Sequence, residues 1–420
     1  MSEGADAALL ALAEAAGVQP AYRDTTGARH DTSPETARAL LAAMGLAAGT
    51  GREAAETRAA LRAEAAARLL PPWQVVEAGV AGARVPCRAS GAAVLRREDG
   101  RETELAAGPQ IALPALPLGL HQLEAGGSTC TLIAAPAALP LPPRGWGVTL
   151  PLYGLRPPER GGIGSYADLA EAVRAAASHG ADFVGLNPVH AGFPEDPALA
   201  SPYSPSSRRR LNVAYVAAQG EAATRGDLID YAADTPARLA ALRAEFDAAA
   251  PDPGAPGPFA DFAAAGGASL GRFALHQALS ARFGPYWTDW PAALRAPDSA
   301  EVAAFAAENR REVAFHLWLQ WRADEQLGAA AAAAGGMRHG LYLDLAVGTH
   351  PAGAETWGQP TLFARGVSLG APPDAFAADG QSWGLAPMIP RALEASGFAV
   401  LADTLRAQFR HAGLLRIDHI

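Results

Sequence analysis

The sequence predicts an α/β protein in which a small helical module and a β-sandwich precede a region built on a parallel sheet. Three observations carry this. Residues 6–70 hold Ala/Leu-rich stretches with helix start and stop signals. From Trp73 to about Pro136 the apolar period becomes two, that of a half-buried strand, with turn signals at Asp99-Gly100 and Gly126-Gly127. After a Pro-rich linker at 135–145, an apolar strand, a capped helix and a second apolar strand come in order. That is the β-α-β grammar of a parallel sheet with a right-handed crossover.

Taken in order, residues 6–16 read as a helix and Tyr22–Gly27 as a loop. Ser33 caps the next helix with Pro34 in its first turn, although Thr32 with Glu35 also fits a capping box. Gly45 is placed to end it, and a third helix over 52–70 stops at Pro71-Pro72. Strands are expected at 83–88, 94–97, 120–124 and 129–133. Beyond the linker, 146–155 is a strand. Gly161–Ser165 is a tight turn with Ser165 as cap, since it lacks the spacing of a phosphate-binding loop. Tyr166–His179 is an amphipathic helix and Ala181–Val189 a strand. Residues 191–338 read mostly as loop and helix, with helices at 236–249, 258–283, 299–308 and 310–334. Phe315, Trp318, Leu319 and Trp321 on the last read as core packing first and as sugar-stacking rings second. Gly340–Val347 is a third strand, 391–411 a helix and 413–419 a fourth strand. The expected domains are 1–72, 73–137 and 138–420.

Composition narrows the function classes. The 420 residues are 50% apolar, enough for substantial cores. No apolar run approaches the ~20 residues of a membrane span, and the acidic Met1–Asp6 does not read as a secretory signal. Cys87 and Cys130 are the only cysteines, too few for a disulfide framework or a cysteine-built zinc site, so they read as small core residues in a cytoplasmic protein. The net charge of −9, with both signs mixed along the chain, argues against a nucleic-acid footprint. Arg208-Arg209-Arg210 reads as a solvated face.

Two places point to chemistry. Asp344 sits inside the apolar run Leu341–Val347, where an unpartnered carboxylate is costly. It is either paired structurally or faces a polar site, and the site is favoured. In the closing stretch Leu415-Arg416-Ile417-Asp418-His419, strand alternation puts Arg416 and Asp418 on one face. A neighbouring guanidinium favours an ionised carboxylate, the form needed in a nucleophile that bonds a sugar. A plain salt bridge at a strand end is the other reading.

Several stretches together resemble one family. They are Trp146–Tyr153, Leu186–Ala191, Ser201–Arg208, Gly340–Gly348, Gly370–Asp374, Gly380–Gly384 and Leu415–His419. In this order they resemble the 4-α-glucanotransferases (amylomaltases) of glycoside hydrolase family 77, and the modules before residue 140 resemble the N-terminal extension of the bacterial, maltose-utilising branch. The resemblance implies a (β/α)8 TIM barrel, of which 138–420 is the first half with a helical insertion at about 191–338. It implies retaining chemistry on maltodextrins and other α-1,4-glucans. No motif suggests a metal or organic cofactor. By resemblance Asp418 is the nucleophile and Arg416 its positioning partner. Tyr203, Asp344, Asp374 and Trp383 match glucan-contacting positions, and Asn187 and His190 lie at the mouth of the second strand. In such barrels chemistry sits at the C-terminal ends of strands, where Asn187, Asp344 and Asp418 fall.

Retaining transfer needs two carboxyl groups ~5–5.5 Å apart. In the family the acid/base Glu and a further Asp come after the nucleophile strand. The chain is therefore expected to stop short of them, and on its own to be inactive and poorly soluble. Glu195 and Glu355 are loop carboxylates without the matching context. The rival readings are an α-amylase-type hydrolase and a non-catalytic glucan-binding remnant.

Overall fold

A computed structural model describes residues 3–156, 161–220 and 226–419. The chain divides into two compact units. The first takes in Met1–Pro143, Pro372–Asp379 and Met388–Leu401; the second Arg144–Ala371, Gly380–Pro387 and Ala402–Ile420. Among the described residues, no helix is long and apolar enough to cross a membrane. Met1, Ser2 and Ile420 lie outside the described residues.

The first unit begins with helix α1 (Glu3–Ala15). The expected loop at Tyr22–Gly27 is instead a hairpin, β1 (Ala21–Arg23) against β2 (Arg29–Asp31). The Asp24 carboxylate accepts from the backbone N–H of Thr26 at 2.9 Å and of Ala28 at 3.0 Å, an Asx turn that supplies the reversal. Helix α2 (Pro34–Ala43) is capped by Ser33, whose hydroxyl accepts from the Thr36 N–H. Helix α3 (Gly51–Ala67) opens on a full capping box between Thr50 and Glu53. Leu9, Leu12, Leu41 and Ala54 form the apolar centre of these helices.

The strands of this unit are β3 (Trp73–Glu77), β4 (Arg84–Pro86), β5 (Gly91–Arg96), β6 (Glu102–Ala107), β7 (Gln110–Ala112), β8 (Gly119–Ala125) and β9 (Ser128–Ala135). A five-stranded sheet runs in the order β3-β9-β8-β5-β6, and β4 pairs with β7. Val85, Leu95, Ile111, Leu123 and Leu132 pack between them, with both cysteines free and buried in the same core. The two edge strands, β3 and β6, were missed in the sequence. Edges bury little of either face, so β6 shows almost no alternation.

In the second unit, β10 (Gly147–Leu150), β11 (Phe183–Leu186), β14 (Gly340–Leu345) and β17 (Leu414–Ile417) form a parallel four-stranded sheet in that order. Helix α4 (Tyr166–Ser178) joins the first two, and a capping box between Ser165 and Asp168 starts it. The strand expected to reach Leu155 ends at Leu150, because Pro151 lacks the N–H to continue the ladder and a 3-10 turn comes next at Leu152–Gly154. The strand expected over 181–189 breaks at Pro188 for the same reason. Past the break the chain forms β12 (His190–Ala191), antiparallel to β13 (Ser207–Leu211).

Helices α5 (Tyr231–Ala249), α6 (Pro258–Phe283, kinked at Gly267), α7 (Ala300–Glu308) and α8 (Arg310–Ala333) fill the insertion. Phe315, Trp318 and Leu319 of α8 join Leu169 and Val173 of α4 in the main core, so that aromatic stripe is packing. After α9 (Ala354–Gly358), the strands β15 (Leu369–Ala371) and β16 (Gln381–Leu385) pair antiparallel. The single helix expected over 391–411 is two, α10 (Pro390–Ala395) and α11 (Ala399–Phe409). Gly397 and Phe398 between them are both left-handed, with φ of 61° and 63°, which ends one helix before the next begins.

Arg208-Arg209-Arg210 is not a solvated face. It lies on β13, and Arg208 is only 6% exposed. The Arg208 backbone N–H donates to Glu355 Oε2 at 3.0 Å, and its guanidinium donates to the Val347 carbonyl at 3.2 Å. Glu355 sits on α9 rather than in a loop, and its side chain is fully buried beside Arg208 and Arg209.

Candidate active site

The carboxyl ends of the four parallel strands open on one cavity of about 420 Å³. Thr149 and Leu150 line it from β10, Gly185 and Leu186 from β11, Tyr342 and Asp344 from β14 and Arg416 from β17. This end of a parallel sheet is where α/β folds place ligands, because the strand ends leave a crevice that the adjoining loops can wall. A side chain at Gly185 would put its Cβ 2.7 Å from Thr149 Cγ2, so glycine keeps that strand end thin.

The polar centre is a guanidinium shared by two carboxylates. Asp344 and Arg416 are opposite each other in the parallel register of β14 and β17. Arg416 Nη1 donates to Asp344 Oδ1 at 2.9 Å, and its Nη2 lies 2.8 Å from Asp418 Oδ2. Asp344 is 7% exposed, and its second oxygen accepts from the Tyr203 hydroxyl at 3.3 Å. The partner it needed in an apolar run is thus present, and that pair also faces the cavity. Burial, and then the neighbouring Asp344 carboxylate, push the Tyr203 hydroxyl up from its ordinary pKa. The Asp344 carboxylate, by its hydrogen bond and charge, raises Arg416 further. Arg416 therefore stays cationic at any working pH.

Asp418 lies just past the end of β17 and does not itself wall the cavity. Arg416 ties it to the lining. The same oxygen, Asp418 Oδ2, lies 3.2 Å from His419 Nε2, and the His419 ring lies 4.7 Å from that of Trp383 on β16. Trp383, His419, Asp418, Arg416, Asp344 and Tyr203 thus form one connected line of side chains. His419 belongs to the closing motif but had no role there. Tyr153, another cavity wall, likewise ends the Trp146–Tyr153 motif. Adjacency to Asp418 was the signal for the former; nothing local marked the latter.

Asn187 lines the cavity, but its amide is in use. Its Oδ1 accepts from the Leu152 N–H at 2.8 Å and its Nδ2 donates to the Pro188 carbonyl at 2.7 Å, which pins the turn after β10. Asp374 belongs to the first unit, where its Oδ1 accepts from the N–H groups of Phe376 and Ala377. His190 is 1% exposed and lies off the cavity. Its Nε2 accepts from the Ala346 N–H at 3.1 Å, holding the backbone two residues after Asp344. Among the described residues, no group of three or more His, Cys, Asp or Glu is arranged to hold a metal ion.

Burial, reinforced by the charge of Arg208, lowers His190 to about 3. It is neutral when folded and protonates near 6.5 when unfolded. Its contribution is therefore complete above about pH 6.5 and is lost as pH falls from there toward 3, at up to about 1.4 kcal/mol per pH unit. Urea unfolding at pH 7 and pH 4.5 checks this. The drop in stability between the two is expected to be smaller in His190→Gln than in the parent chain, and an equal drop would remove His190 as a cause.

Comparison with known proteins places these features in a family. The family model described as 4-alpha-glucanotransferase matches residues 150–420, and the MalQ N-terminal beta sandwich domain matches residues 69–136. A 4-alpha-glucanotransferase of Mycobacterium tuberculosis is 35% identical over 98% of this chain and 65% of its own length. One of Haemophilus influenzae is 33% identical over 74% of this chain and 51% of its own. The crystal structure of amylomaltase from Corynebacterium glutamicum superposes with a TM-score of 0.81 at 28% identity, covering 99% of this chain and 65% of that one. The chain thus spans about two thirds or less of the length of these relatives. With the matched model covering the parallel sheet from the end of β10 onward and every cavity wall except Thr149, the chain belongs to the 4-alpha-glucanotransferase family, glycoside hydrolase family 77.

Proposed function

We propose that the protein transfers segments of α-1,4-glucan between maltodextrins by a retaining double displacement, and that its four parallel strands are part of a (β/α)8 barrel. The observation that carries the reading is the Arg416 guanidinium held between Asp344 and Asp418 at the rim of the cavity. Asp418 attacks the anomeric carbon of the donor glucan. The bond to the leaving oxygen breaks, and that oxygen takes a proton from a general acid. The segment is left as a β-linked ester on Asp418. The 4-hydroxyl of an acceptor glucan then attacks the same carbon, giving its proton to the group that acted as the acid, while the ester bond breaks, Asp418 leaves as a free carboxylate and the α-linkage is restored.

Arg416 fixes the orientation of Asp418 and withdraws charge from it as the ester forms. Asp344 and Tyr203 offer an acceptor and a hydroxyl to the donor sugar, and Trp383 a ring face. Asn187 and His190 act at one remove, by holding the backbone at Leu152 and Ala346. Glu355 does not serve as the acid, since its carboxylate is sealed beside Arg208 and Arg209. We place the protein in the cytoplasm, in keeping with two buried free thiols.

Incubation with maltotriose tests the reaction. Glucose together with dextrins longer than maltotriose is the product set that transfer gives, and it would overturn the expectation that residues 1–420 alone are inactive. Shortening alone would make the protein a hydrolase. Glucan binding without any turnover would make it a binding protein.

A further inference from the structure

A second cavity, of about 650 Å³, lies in the same unit and shares no lining residue with the first. Its walls combine apolar surface with cationic groups. Trp287, Pro297, Phe363 and Val367 supply the apolar part, and Arg295 and Arg365 the charge. The guanidinium carbon of Arg365 sits 5.1 Å from the centre of the Trp287 ring. Arg295 Nε donates to the Trp290 carbonyl at 2.7 Å, which fixes its base and leaves its terminal nitrogens for other partners. Among the described residues, neither arginine forms an ion pair. The one carboxylate in the lining, Asp298, is already matched by Arg272 at 2.6 Å. In a chain of net charge −9 this cavity is therefore locally positive.

We propose that this cavity binds a phosphorylated hexose, independently of the reaction assigned to the first cavity. Guanidinium groups pair with phosphate oxygens through charge-assisted, often bidentate hydrogen bonds. One arginine anchored on a carbonyl and one laid on an indole are both partly ordered before any ligand arrives, which reduces the entropy cost of binding. The proline, phenylalanine and valine walls match the apolar face of a sugar ring. The volume is within the range of sites for small molecules.

The site has a route to the catalytic loops. Pro351 and Thr356 line it from the segment after Asp344, and Ala386 from the segment after Trp383. Thr349 and Ala386 are joined by an antiparallel bridge, with the Ala386 N–H donating to the Thr349 carbonyl at 2.9 Å. Occupancy therefore loads the two segments that carry Asp344 and Trp383.

Isothermal titration of the full chain with glucose 6-phosphate, glucose and inorganic phosphate tests the assignment. Glucose 6-phosphate is expected to bind at least about tenfold tighter than either fragment, a difference of about 1.4 kcal/mol. Arg295→Ala and Arg365→Ala are each expected to weaken it about tenfold or more, with a circular dichroism spectrum like that of the parent chain to show that each variant is folded. Arg416→Ala, in the other cavity, is expected to leave it unchanged. Absence of binding overturns the proposal, as does binding that Arg416→Ala abolishes and the other two variants spare. Inorganic phosphate binding as tightly as the sugar phosphate overturns the hexose, and glucose binding as tightly overturns the role of the arginines.

Discussion

Treatment with 5-fluoro-α-glucosyl fluoride is expected to leave one glycosyl group bonded to Asp418, visible as a single mass increase on the peptide that contains it. Fluoride departs without protonation, so this reagent reports the nucleophile separately from the acid that assists a sugar leaving group. The ring fluorine destabilises the oxocarbenium-like transition states of both steps, so the ester persists while it is read. Asp418→Asn removes the attacking oxygen's charge while keeping its shape, and the label is expected to vanish. Any transfer from maltotriose is expected to fall by about 10⁶-fold, on the order of the loss when a covalent nucleophile is removed elsewhere. Arg416→Lys keeps the charge but cannot hold Asp344 and Asp418 on two nitrogens of one plane, as Arg416 does at 2.9 and 2.8 Å. Labelling there is expected to slow rather than stop. A label found on another carboxylate would remove Asp418 from the mechanism.

Glu355→Ala is expected to destabilise the second unit strongly. The Glu355 side chain is sealed from solvent, and those of Arg208 and Arg209 beside it are 7% and 11% exposed. Its carboxylate lies 3.8 Å from Arg208 Nε and 4.0 Å from Arg209 Nε. Removing it takes the carboxylate from two buried guanidinium groups and the acceptor from the Arg208 backbone N–H. Breaking a buried charge cluster in this way costs about 3–5 kcal/mol, because the neutral acceptors that remain, the Val347 carbonyl at Arg208 and the Ser269 hydroxyl at Arg209, do not balance the charge. Urea denaturation is expected to show a lower midpoint by a corresponding amount. Glu355→Gln, which keeps an acceptor for the Arg208 N–H, is expected to fall between. A midpoint unchanged in Glu355→Ala would mean that the cluster contributes nothing net to the fold.

This cluster also shows where reading along the chain stops. Three consecutive arginines look solvated in a sequence, since long cationic side chains are usually exposed. Their burial is set by β12–β13 pairing and by α9, which brings Glu355 across 147 residues of chain to the Arg208 N–H. No local pattern encodes that partner. The same holds for His190. Its place next to a strand end drew it toward the site, while its hydrogen bond to Ala346 makes it part of the scaffold.

The sequence by itself determined the α/β character, the capped helices at Ser33 and Ser165, the Gly126-Gly127 hairpin and the four parallel strands, because caps, turns and apolar runs are short-range signals. Motif order also carried the family. Only the tertiary structure decided what those strand ends share. Parallel pairing sets Arg416 opposite Asp344, and a guanidinium with five donors can then hold two carboxylates from different parts of the chain at once. It likewise decided that one 391–411 helix becomes two, and that Arg295 and Arg365 face a common cavity. Such outcomes depend on distances between residues far apart in sequence, which periodicity and propensity do not record.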